Sequence, residues 1–147
     1  PAAGAPLAVP GDGRRAPAGA APPDGRVLHT DWSRRAAAEA ATALLTAPDP
    51  PSAIFTCADV MAVGVYDAAE ALGLRIPEDC SVVGFDDLPE AQWLRPALTT
   101  LHQPIAEMGE AALRMLLRVM ADPPAAAPRE ELSTRLVVRE STTPPRP

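Results

Sequence analysis

Apolar and polar positions along this chain fall into blocks whose spacing switches between strand-like and helix-like. Arg26-Val-Leu-His-Thr30 is a short apolar run that predicts a strand. Asp31-Trp32-Ser33 then leads into an alanine-rich helix reaching Leu45, with Ser33 as its cap. Ala53-Ile-Phe-Thr-Cys57 predicts a second strand. From Asp59 onward, Ala62, Val63, Val65, Tyr66, Ala69 and Leu72 keep helical spacing, and Gly73 stands where such a helix ends. Pro77 enforces a turn before Cys80-Ser-Val-Val-Gly-Phe85, a run apolar enough for a strand buried on both faces. Asp87 to Glu90 has capping-box spacing before a short helix that ends near Pro96. Leu98-Thr-Thr-Leu-His102 predicts a fourth strand. Pro104 then opens a helix over residues 104–121 through Ile105, Met108, Ala112, Met115, Leu116 and Val119, and Leu136-Val-Val-Arg139 closes as a fifth strand.

Strands alternating with helices over short connections predict an α/β fold, a doubly wound and mainly parallel sheet with helices on both faces and right-handed crossovers. Residues 1–25 are Pro, Ala and Gly with few side chains to bury, which predicts a disordered or irregular lead-in; residues 26–147 carry the folded region. In open α/β sheets ligands bind beyond the carboxyl ends of the strands. The residues expected there are Asp31 and Trp32, Asp59, Asp86 and Asp87, and Gln103. Carboxylates accept hydrogen bonds from hydroxyls, an amide both donates and accepts, and an indole covers the C–H face of a sugar ring, so the set suits a neutral polyhydroxylated ligand. Each residue also has a structural explanation. Asp59 and Asp87 stand at helix-cap positions, Trp32 suits a core or an interface, and Gln103 can satisfy backbone groups. Asp86 follows a buried strand directly while Asp87 supplies the cap, which favours ligand contact for Asp86.

Composition narrows the chemistry. The 147 residues contain 13 arginines and no lysine against 19 acids, a net charge of −6. Without lysine there is no Schiff base and no Walker-A phosphate site, and an acidic rim without a glycine-rich cradle repels phosphate. A magnesium-dependent, phosphatase-like reading of Asp86 and Asp87 ordinarily calls for a lysine beside the phosphoryl oxygens. No serine sits in a nucleophile elbow, and His29 and His102 lack metal-spaced partners. Cys57 and Cys80 lack a CxxC context, so two reduced, buried thiols are expected, with no metal and no cofactor. There is neither a run of about 20 apolar residues nor a signal-peptide pattern, which predicts a cytoplasmic protein without a membrane partner.

Four segments carry a resemblance: Pro51-Ser-Ala-Ile-Phe-Thr-Cys-Ala-Asp-Val-Met-Ala-Val-Gly64, Gly73-Leu-Arg-Ile-Pro-Glu-Asp-Cys-Ser-Val-Val-Gly-Phe-Asp-Asp87, Leu98-Thr-Thr-Leu-His-Gln-Pro104 and Leu136-Val-Val-Arg-Glu-Ser-Thr142. In this order they resemble the C-terminal part of LacI/GalR-family transcriptional regulators, an effector-binding lobe of the type I periplasmic-binding-protein kind. The resemblance implies a non-enzymatic sensor of a small effector, in which Trp32 stacks on the ligand, Asp86 hydrogen-bonds it and Gln103 lies at a crossover between two lobes. Asp59 matches the acid of the family's Asn-Asp pair, but Ala58 replaces the Asn, which leaves the effector open between a sugar and a nucleobase. The resemblance further implies a homodimer through Met61, Tyr66, Leu88 and Trp93. It also implies that helix 104–121 packs on an N-terminal lobe. That lobe and the helix-turn-helix have no counterpart in these residues, so the lobe is incomplete and operator DNA would be reached only through a head outside this chain. The alternatives are a periplasmic-type sugar-binding protein serving transport and the magnesium-dependent phosphatase-like enzyme.

Overall fold

A computed structural model describes residues 5–7, 27–122 and 128–144. In chain order the elements are β1 (Ala5–Leu7), β2 (Leu28–Thr30), α1 (Arg34–Leu45), β3 (Ala53–Phe55), α2 (Asp59–Ala71), β4 (Ser81–Asp86), a 3₁₀ turn (Pro89–Gln92), β5 (Thr99–His102), α3 (Ile105–Ala121) and β6 (Arg135–Val137). The sheet order is β3-β4-β5-β6, parallel between the first three strands and antiparallel at β6. This is the mainly parallel α/β arrangement that the alternation of periods predicts.

Two local signals in the sequence work as expected. Ser33 caps α1, its Oγ accepting from the Ala36 N–H at 3.1 Å. Gly73 follows α2 at φ +67, with its N–H donated to Glu70 O and that of Leu74 to Ala69 O, the paired bonds of a Schellman ending.

The first strand departs from the expectation. Leu28–Thr30 does not enter the four-stranded sheet but pairs antiparallel with β1. A strand inside a parallel sheet is apolar on both faces. Here Leu28 is half-buried against the core, Thr30 is half-buried and His29 is exposed, so no side chain of this strand is fully buried. The expectation of an irregular lead-in falls, apart from Ala5–Leu7, outside the described residues.

Side chains of Ile54, Val82, Leu98, Met61, Ala62 and Val65 form the centre of the core, where α2 lies against the sheet. α1 stacks on α2 through Ala37, Ala41, Leu44 and Leu45, and Arg34 makes a bidentate ion pair with Asp67 at 2.6 and 2.7 Å. The other face of the sheet carries Phe55, Val83, Phe85 and Leu101, all half-buried. α3 buries only Ala111. Ile105, Met108, Leu113, Leu116, Leu117 and Met120 stand exposed along it.

The C-terminal segment is stitched in by hydrogen bonds rather than by apolar packing. Ser141 is fully buried. Its Oγ donates to Val82 O at 2.6 Å and accepts from Thr99 N–H at 2.8 Å, while its carbonyl accepts from Val82 N–H.

Candidate functional site

The parallel register brings the carboxyl ends of β3, β4 and β5 to one edge. Asp86 ends β4, directly opposite His102 of β5, and Gln103 follows. The Gln103 Nε2 donates to Asp86 Oδ1 at 2.5 Å, so two of the expected residues meet. The backbone of this turn is unusual, with φ +122 at Asp86 and +60 at Asp87. Non-glycine residues seldom occupy that region, and when they do the surroundings must hold them there.

Asp87 does not cap a helix. The 3₁₀ turn begins after Leu88 without a side-chain cap, and Asp87 turns back to the sheet. Its Oδ1 accepts from Arg139 Nη2 at 2.6 Å and its Oδ2 lies 3.0 Å from His102 Nδ1. Arg139 also donates from Nη1 to Leu98 O at 2.8 Å. Burial works against the charge on Asp87, but the Arg139 and His102 hydrogen bonds outweigh it and hold the carboxyl below its ordinary value of 3.8. Both oxygens being engaged, Asp87 is a poor magnesium ligand, which argues against the phosphatase-like reading.

A carboxyl with a lowered folded pKa adds stability that is present above the unfolded pKa and lost as pH falls through the folded one. Wild-type protein is therefore expected to exceed Asp87→Asn most in urea midpoint near neutrality, and the two are expected to converge below about pH 4. Urea titrations of both proteins across pH 3 to 7 check this.

The structure corrects the reading of Asp59. Ala58 is the N-cap of α2, without a side-chain bond, and Asp59 is the first helical residue. It is 3% exposed, with Oδ1 accepting from Thr100 Oγ1 at 2.6 Å and Oδ2 from Leu88 N–H at 2.8 Å. Burial pushes its pKa up. The Thr100 and Leu88 hydrogen bonds oppose that shift, and the charges of Asp86 and Asp87 add to it. Gly84 makes this placement possible, because a Cβ there would overlap Asp59 Oδ1 and lie 2.9 Å from Leu98 Cδ2. Asp59 thus ties α2, β5 and the turn after Asp87 together, with a hydrogen bond at each carboxylate oxygen.

Trp32 stands on the turn between β2 and α1, 56% exposed. Beside it Asp31 accepts from the Ser33 N–H at 2.9 Å, and hydrogen bonding from the Ser33 side chain, then from its backbone, lowers the Asp31 carboxyl pKa. Met61, expected at a dimer interface, is completely buried in the core and cannot serve there. It faces the sheet because helical spacing places it with Val65 on the inner side of α2. Tyr66 is half-buried, donates its hydroxyl to Pro96 O at 2.9 Å and is pushed up to about 12 by burial. Leu88 and Trp93 are exposed, at 41% and 65%. Cys80 is buried, its thiol pushed up to about 12, and Cys57 is half-buried with its thiol also raised by burial.

Sequence reasoning missed Arg139, His102 and Thr100. A glycine inside an apolar strand signals close approach of another group, and Gly84 was the available pointer to Asp59. Arg139 had a weaker signal, a lone cation directly after an apolar run.

A model of the periplasmic binding protein-like domain matches residues 13–142. The chain is 37% identical over 119 residues to the HTH-type transcriptional repressor PurR of Salmonella paratyphi B, covering 81% of this chain and 35% of that protein. It therefore spans about a third of the length of the curated relatives it matches. Among solved structures it is similar to a LacI family transcriptional regulator from Enterococcus faecium with bound ribose, with a TM-score of 0.70, 32% identity, and coverage of 80% of this chain and 43% of that one. A LacI family regulator from Arthrobacter in complex with lactose gives a TM-score of 0.65 and 35% identity, over 81% of this chain and 46% of that one.

Proposed function

Because the chain belongs to the periplasmic binding protein-like family, in the effector-binding form found in LacI-type regulators, we propose that it is the sensing part of a transcriptional regulator whose effector is a small sugar. The observation that carries the ligand class is the Asp86–Gln103 pair at the carboxyl edge of the sheet. After their mutual bond, Asp86 Oδ2 and Gln103 Oε1 have no partner among the described residues, and both are acceptors suited to sugar hydroxyls. Relatives with bound ribose and lactose support the same class. A nucleobase is the alternative effector, favoured by Ala58 standing where a sugar-contacting amide is common in the family.

In this reading Trp32 covers the apolar face of the ring and Asp86 and Gln103 fix its hydroxyls, with no catalytic step. Asp59 acts from behind, holding the turn that bears Asp86. The exposed stripe of α3 packs on a second lobe, and Leu88, Trp93 and the rim of Tyr66 contribute to a homodimer. DNA contact belongs to a head outside these residues, and the regulator works in the cytoplasm. No helix among the described residues is long and apolar enough to cross a membrane.

Calorimetric titration with ribose, lactose, sucrose and a set of nucleobases tests the proposal. One sugar is expected to bind, with Asp86→Ala weakening it on the order of tenfold or more, the loss of a charge-assisted hydrogen bond. In a Trp93→Phe background, Trp32 fluorescence is expected to change with the same affinity. Unchanged binding in Asp86→Ala and Trp32→Ala would reject this site.

A further inference from the structure

Asp86 and Asp87 are consecutive non-glycine residues at positive φ, +122 and +60. Such residues are strained and persist only where their neighbours over-determine them. The turn is fixed from two directions. Asp59 receives the Leu88 N–H from the side of α2, and on the other side Arg139 and His102 take both oxygens of Asp87. Arg139 is itself fixed by Leu98 O, and the neighbouring Ser141 is bonded to β4 and β5. Side-chain exposure is 13% for Asp87 and 21% for Arg139, so the pair is shielded enough for its geometry to matter.

We propose that Arg139 and His102 are positioning residues: through Asp87 they hold the backbone of Asp86 so that its carboxylate meets Gln103 and the effector. A cation 52 residues further along the chain, with no ligand contact of its own, then sets effector affinity. The effector half of this statement rests on the sensing role proposed above, whereas the hold on Asp86 does not.

The test separates the two halves. In the ligand-free chain, the side-chain amide resonances of Gln103 report its bond to Asp86. They are expected to move toward those of a free glutamine in Arg139→Ala and in Asp87→Gly. Glycine accepts positive φ without strain, so Asp87→Gly removes the clamp while relieving the backbone, and its melting curve should confirm a folded protein. His102→Asn places an amide nitrogen about where Nδ1 lies and is expected to keep the wild-type resonances, which His102→Ala loses. Ribose affinity, read in the same variants, is expected to fall on the order of tenfold wherever the Gln103 signals move.

Unmoved Gln103 resonances in a folded Asp87→Gly overturn the positioning role. Displaced resonances with unchanged ribose binding uphold the hold on Asp86 and reject the Asp86–Gln103 pair as the effector site instead. The amide readout needs no ligand, so it decides the positioning even where ribose fails to bind.

Discussion

Gly64→Val is expected to destabilise the molecule strongly while leaving it folded at room temperature. Gly64 lies in α2 against the first turns of α1, where an added Cβ would overlap Arg34 O and come within 2.8 Å of Ala38 N and 2.9 Å of Ala37 Cβ. Two of these three atoms are backbone, so no side chain can swing aside, and the helices must separate. Separation also pulls apart the Arg34–Asp67 ion pair and uncovers Ala37 and Ala41. Overpacking typically costs about 1–3 kcal/mol, and an obstruction made of backbone belongs at or above the top of that range. A loss of about 3 kcal/mol is a sizeable share of the 5–15 kcal/mol that stabilises a typical domain. It should lower the melting temperature by on the order of 10 °C, as followed by circular dichroism. A melting temperature within about 2 °C of wild type would mean the two helices are not packed this closely.

Asp59→Ala carries the second large effect. It leaves the buried Thr100 hydroxyl without its acceptor, at about 1–3 kcal/mol, and the part-buried Leu88 N–H at a smaller cost. Asp59→Asn is expected to be far milder. Its amide oxygen can accept from Leu88, and its nitrogen can donate to Thr100 Oγ1, because a hydroxyl reverses its role freely. Gly84→Ala, which obstructs the Asp59 carboxylate, adds a diagnostic coupling. Its cost should be smaller in the Asp59→Ala background than in wild type, since the main obstruction is then gone. Denaturant melts of the four proteins of this cycle measure it. Additive costs would show that Asp59 does not occupy the space under Gly84.

What the sequence discloses about this molecule depends on how local the cause is. Ser33 and Gly73 end their helices through bonds to residues a few positions away, so their spacing announces them. The periodicity of α2 and the apolar continuity of β4 are legible for the same reason. Leu28–Thr30 departs from the expectation because a single apolar side chain satisfies a hairpin edge as well as a sheet edge. At the rim, Asp86 and Gln103 could be placed from strand ends alone, and the structure joins them. Asp59 and Asp87 read as caps because an acid before a helical pattern is a cap by spacing. Their real partners, Thr100, Arg139 and His102, lie 15 to 52 residues away and are found only once the strands are in register. Family likeness puts Met61 at an interface, although its spacing with Val65 already places it on the inward face.

The Ser141 stitch bears on how the polypeptide is made. β4 and β5 are joined near their starts by a residue some 40 to 60 positions downstream, which supplies both a donor and an acceptor to them. Domains emerge from the ribosome amino end first, so β3, β4 and β5 are exposed for the whole time that α3 is being translated. The Ser141 bonds can form only once Ser141 has left the exit tunnel, and the Arg139–Asp87 pair only once Arg139 has. Until those residues emerge, the apolar strands lack these ties and stay more open to proteases and chaperones.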